Sequence, residues 1–183
     1  MTELFQYTFF QNALLGSLLA SIACGIIGTY IVTRRLVFIS GGITHASFGG
    51  IGIGLYTGIS PILTAAIFSV LSAFGVEWLS KRSDMREDSA IAVFWTFGMA
   101  VGIIFSFLAP GFTPELSSFL FGNILTITNS DIMLLGIVSI ALSAFFGVFL
   151  KPIISIAFDR EFALSQRLPV TFFEYTLMMF IAL

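Results

Sequence analysis

All eight Lys and Arg residues of this chain fall in three short segments, and each segment closes an apolar run: Arg34 and Arg35, then Lys81, Arg82 and Arg86, then Lys151, Arg160 and Arg167. The stretches between them are long enough to cross a bilayer and return. Membrane proteins keep cationic loops on the cytoplasmic side, so the pattern predicts these segments inside and the N-terminus outside. Apolar residues make up 57% and charged residues 10% of the chain, against about 25% charged in an ordinary soluble domain. A soluble fold is excluded. The expectation is an all-α, polytopic transmembrane helical bundle in the cytoplasmic membrane, with the lipid bilayer as its solvent and no nucleic acid among its partners.

The first span is predicted over 12–33, and it reads as a retained span because Glu3 and polar residues precede it rather than a basic leader. The second runs over 36–58, where Gly42, Ala46, Gly50, Gly54 and Gly58 recur at every fourth position. Such a stripe of small residues lets helix backbones approach closely in lipid, so this helix is expected to be central and these five residues to pack against neighbours. Ser60 and Pro61 suit a helix start, and the third span follows over 61–80. Glu87 and Asp88 suit the positive end of a new helix dipole, which opens the fourth span over 89–109. Residues 116–128 are apolar but only 13 in number, too short to cross, and read as re-entrant or interfacial. The fifth span covers 131–150 and stops at Lys151-Pro152. Residues 153–170 form a mixed cytoplasmic segment in which Asp159 is expected to cap a short amphipathic helix through Arg167. A sixth span starting at Phe172 has only 12 residues before the sequence stops, so the chain reads as a fragment lacking C-terminal helices.

Little in the sequence points to catalysis. No glycine-rich P-loop precedes Lys81 or Lys151, no Gly-x-Ser-Gly occurs, and the single cysteine, Cys24, has no internal disulfide partner. The chain reads as no enzyme, with no cofactor. His45 is the only histidine and lies in the second span beside the small-residue stripe. An ionisable group within a bilayer tends to mark a pathway, and imidazole suits zinc and similar metals. A histidine hydrogen-bonded to a neighbouring helix is the plainer alternative. Glu77, one turn before Lys81, and Glu174, at the start of the last segment, are expected to snorkel to the interface.

Four ordered motifs carry a resemblance to a known family. Gly28 to Leu55 (GTYIVTRRLVFISGGITHASFGGIGIGL), Glu87-Asp88-Ser89-Ala90-Ile91, Phe119 to Asp131 (FLFGNILTITNSD) and Phe158-Asp159-Arg160-Glu161-Phe162-Ala163 resemble the membrane permeases of zinc- and manganese-type ABC importers. The resemblance implies a permease fold with more helices than this sequence supplies. It also implies a separate ATPase subunit inside, an extracytoplasmic metal-binding protein outside and a homodimer. It gives His45 a place on the metal path. It makes Phe158, Asp159, Glu161, Phe162 and Ala163 the segment that couples to the ATPase. The chain departs from the family at Gly41, where many members carry an Asp, and at Arg167, where a Gly is usual. A permease for another substrate, such as an iron chelate, and a secondary transporter without an ATPase are the alternatives.

Overall fold

The structure is a computed structural model that describes residues 6–83, 85–110, 119 and 122–183. Its described regular structure is helical: α1 Thr8–Thr33, α2 Val37–Ala46, α3 Phe48–Thr57, α4 Pro61–Ser83, α5 Glu87–Leu108, α6 Asn129–Phe158, α7 Arg160–Ser165 and α8 Val170–Ala182, with a 3-10 turn at Ile124–Thr126 before α6. Among the described residues, five segments are long and apolar enough to cross a membrane, α2 and α3 counting together as one. Their outward faces carry bulky apolar side chains such as Phe107, Ile140 and Val148, each at least 70% exposed. That surface suits acyl chains and would be costly in water. Most of the predicted 116–128 segment lies outside the described residues.

The chain divides into two compact units, Met1–Arg34 with Gly122–Val170, and Arg35–Phe121 with Thr171–Leu183. In the first, α1 packs on α6. Few apolar forces favour helix pairing in lipid, so polar side chains bonded to a neighbouring backbone matter more there. Asn12 Nδ2 donates to the Ile127 carbonyl at 3.1 Å, Ser139 Oγ to the Leu19 carbonyl at 3.2 Å, and Arg34 Nη1 to the Ile156 carbonyl at 3.3 Å. Tyr30 meets Phe146 edge-on, with ring centroids 6.3 Å apart. Helix α6 begins two residues earlier than the sequence suggested, because Thr128 and Asp131 form a reciprocal capping box. It also runs on past Lys151-Pro152 to Phe158. Pro152 has no N–H to give to the carbonyl four residues back, and the helix kinks instead of ending, with Phe149 at φ −108° and ψ 23°.

In the second unit, α2 and α3 occupy the centre, flanked by α4 and α5. Over half of the apolar core of α2–α3 is buried (56%), against 28% or less for each of the other four spans. Glycine makes this possible. A Cβ on Gly98 would come within 2.5 Å of the Ala46 Cα, one on Gly102 within 2.6 Å of the Phe48 carbonyl carbon, and one on Gly52 within 2.8 Å of the Gly102 Cα. Real Cβ atoms do not approach so closely, so the α2–α3 and α5 backbones touch only because these positions lack side chains. Ser47, between α2 and α3, bonds its hydroxyl back to the Thr44 carbonyl at 2.6 Å. The helical path continues through it, as the Ser47 N–H still reaches the Ile43 carbonyl at 2.9 Å.

Candidate functional site

His45 stands in the last turn of α2, half-buried, in the unit built around α2–α3. Its ring lies flat on the indole of Trp95 from α5, with centroids 4.6 Å apart and planes 3° from parallel. Phe48 lies at 6.1 Å on its own side of the chain. The His45 Nδ1 is buried and has no hydrogen-bond partner, so the alternative of a histidine bonded through that nitrogen to a neighbouring helix does not describe it. One turn earlier, Gly41 is exposed, and a Cβ there would meet nothing within 4 Å. Among the described residues no three His, Cys, Asp or Glu side chains gather into a metal cage. Among the described residues His45 is therefore a single imidazole, not part of a closed metal site.

The structure sorts the small-residue stripe. A Cβ on Gly42 would collide with Ile91 of α5, one on Gly50 would sit 2.6 Å from the Ala65 Cα of α4, and one on Gly54 would sit 2.8 Å from the Pro61 Cα. Ala46 is wholly buried. Gly58 departs from the expectation: it has φ +76°, ends α3 in the left-handed conformation, and faces open space. It serves the turn, where glycine is the residue that adopts positive φ without strain. Gly52, Gly98 and Gly102 make close approaches that the four-residue reading of the second span left out. The pair Gly98 and Gly102, spaced by four on α5, carried the same signal.

Two carboxylates in this unit differ from their expected placement. Glu77 and Glu174 do not snorkel; their residues are 4% and 3% exposed. Lys81 reaches both, with Nζ 2.7 Å from Glu77 Oε1 and 2.6 Å from Glu174 Oε2, and it lies 5.1 Å from the centroid of the Tyr175 ring. One ammonium group thus serves two acids, since an isolated buried carboxylate would be too costly to keep ionised. Sequence spacing reveals the Glu77–Lys81 half of this triad as an i, i+4 pair. The Glu174 half is made by tertiary packing alone.

The predicted coupling segment lies in the other unit. Asp159 does cap a helix, its side chain accepting from the Phe162 N–H at 2.9 Å. The helix is α7 and ends at Ser165 rather than reaching Arg167. Its C-terminus closes as a Schellman turn: the Leu168 N–H bonds the Ala163 carbonyl at 3.2 Å and the Arg167 N–H bonds the Leu164 carbonyl at 2.9 Å, with Arg167 left-handed at φ +57°. Phe158 is 78% and Phe162 54% exposed, and Glu161 also faces outward, whereas Ala163 is fully buried. Ala163 therefore packs the segment and cannot itself touch a partner. In this same unit a groove of about 700 Å³ runs between α1 and α6, bordered by Gly25, Tyr30, Phe146 and Ile153. Its apolar lining offers no set of ligands for an ion.

Comparison with known proteins gives this geometry its family. The chain is 39% identical over its whole length to an uncharacterized membrane protein, slr2045, of Synechocystis, covering 65% of that protein. It is 32% identical to the manganese transport system membrane protein MntC of Listeria monocytogenes, over 98% of this chain and 64% of the relative. Among solved structures it is similar to PsaBC from Streptococcus pneumoniae in complex with Fab, with a TM-score of 0.77 and 27% identity, over 98% of this chain and 64% of the matched one. The chain thus spans about two thirds of the length of these relatives. A model of the ABC 3 transport family matches residues 6–183, and the chain belongs to that family.

Proposed function

We propose that this chain forms the membrane pathway of an ABC importer for a divalent metal ion, of the zinc and manganese type, and that His45 lines the path. The observation that carries the reading is the family match over nearly the whole chain together with a manganese transport protein among its relatives. Within it, His45 has a nitrogen without a protein partner on the central helix of its unit. Neutral imidazole is a good ligand for such ions. Other donors come from other helices or from a partner subunit.

The chain has no nucleotide-binding motif, so energy enters through a separate ATPase inside the cell, and the ion is delivered by an extracytoplasmic binding protein. Two copies form the permease. The three cationic segments face the cytoplasm and the N-terminus faces out. A secondary transporter would need titratable carboxylates free to couple; Glu77 and Glu174 are instead both paired with Lys81. The deciding experiment is uptake of radioactive manganese and zinc by cells expressing the permease with its ATPase and binding protein. ATP-dependent uptake that falls in His45→Ala at unchanged protein abundance is expected. Uptake that persists with an inactivated ATPase would overturn the importer reading, and wild-type uptake across a metal titration would reduce His45 to a packing residue.

A further inference from the structure

We infer that Trp95, tethered by Met99, is the positioning residue of His45: the indole fixes the plane of the imidazole and so decides how its nitrogens meet an ion. The inference rests on the reading of His45 as an ion-path residue. A ligating histidine is ordinarily held by a hydrogen bond from its second nitrogen, which sets ring orientation and basicity. His45 has no such bond at Nδ1, and the ring torsion of a histidine is broad when nothing restrains it. The restraint present is the flat stack on Trp95, at 4.6 Å and 3°.

The indole is itself held by one hydrogen bond, and the helix that carries it is fixed. Its Nε1 donates to Met99 Sδ at 3.0 Å, one turn along α5. The helix that carries both residues is locked against α2–α3 by the backbone contact at Gly98, three residues after Trp95. With the backbone fixed there, the ring leaves His45 only by a side-chain rotation that breaks the bond to Met99. The stack also has an electrical sense. An indole face is the negative side of the ring quadrupole and attracts a cation placed over it. An imidazole that gains positive character by taking a metal ion on a nitrogen is held more tightly against Trp95 than the free ring. Trp95 thus favours the loaded state of His45 while touching no ion itself.

The test uses the whole permease with its ATPase and binding protein. Trp95→Leu should lower metal uptake about tenfold, the lower end of the loss caused by removing an outer-shell partner of a metal ligand, whereas Trp95→Phe, which keeps a ring face, should retain most of it. The double variant His45→Ala with Trp95→Leu should transport no worse than His45→Ala alone, because a positioning residue acts through the residue it positions. A further loss in the double variant would assign Trp95 a merely structural role and overturn the inference. A second readout needs no transport. In a Trp78→Phe background Trp95 is the sole tryptophan, and its emission in purified permease should change on His45→Ala and on titration with zinc. Emission insensitive to His45→Ala would show that the stack does not form. Emission that responds to His45→Ala but not to zinc, with His45→Ala transporting normally, would overturn the ion-path reading and leave the stack intact.

Discussion

Lys81 and Glu174 meet at 2.6 Å across two helices, and the same ammonium lies 2.7 Å from Glu77 one turn back on α4. The lysine side chain keeps 31% of its surface accessible while the two acids keep 5% and 3%. The charge that bridges them is thus the one closest to water. This triad ties α8 to α4 in a unit where other helix contacts include close approaches of glycine to backbone.

Removing the lysine should therefore cost more than removing an acid. Lys81→Met removes the cation that both buried carboxylates contact, and breaking a buried pair costs about 3–5 kcal/mol. The expected outcome is a large drop in thermal stability of the purified protein in detergent. Adding Glu77→Gln and Glu174→Gln to Lys81→Met should restore much of it, because no uncompensated charge then remains. A Lys81→Met protein as stable as the wild type would show that the lysine does not hold the two acids in place.

The glycine contacts make a sharper contrast. Gly102→Ala places a methyl group against the Phe48 backbone, which cannot rotate away as a side chain could. Overpacking of this kind costs about 1–3 kcal/mol, read as a fall in melting temperature. Gly41→Ala, with open space around the new Cβ, should leave stability unchanged. Equal effects at the two positions would place the close approach of α3 and α5 elsewhere.

Much of this architecture is legible in the sequence because lipid imposes it. Spans of about 20 residues bounded by charges mark the helices, and the structure moves most of their ends by only a few residues. Three features escaped for physical reasons. Lys151-Pro152 looks like a stop, yet a proline inside a helix removes one hydrogen bond and kinks it when the flanking turns remain satisfied. Trp95 and Glu174 gain their roles from partners 50 and 93 residues away, and no local spacing encodes such pairings. Gly58 shares the four-residue rhythm of the stripe, but that rhythm does not say where the helix ends.

The cationic segments predict an orientation that labelling can test. With Cys24 replaced by Ser, single cysteines at Ser83 and Ser165 should be protected from an impermeant maleimide in intact cells, and one at Ser60 should react. All three positions are exposed in the structure. Labelling of Ser83 from outside would invert the topology.

Arg167 occupies the C′ position of the Schellman turn at φ +57°, where a side chain costs about 1–2 kcal/mol relative to glycine. Arg167→Gly should relieve that strain. The expected outcome is slower amide hydrogen exchange across α7, since a firmer C-terminus holds the short helix closed. Exchange faster than in the wild type would show that the arginine side chain contributes more than its backbone costs.

The exposed rings at the junction of α6 and α7 lead to the last expectation, that this segment receives the motion of the ATPase. Phe158 closes α6 and Phe162 lies in α7, on either side of the extended Asp159, so they are not an i, i+4 pair on one helix. Both rings still face outward and can enter a groove of a partner. Asp159, between them, holds the first turn through its bond to the Phe162 N–H, so the second ring is aimed by the cap. Phe162→Asp should release the ATPase on purification, or leave hydrolysis running without transport, while the permease stays folded in the membrane. Asp159→Ala should do the same more weakly, because losing an N-cap costs about 1 kcal/mol and loosens the turn without removing a ring. Normal copurification with normal transport in Phe162→Asp would show that α7 only lies along the inner leaflet, its rings in lipid.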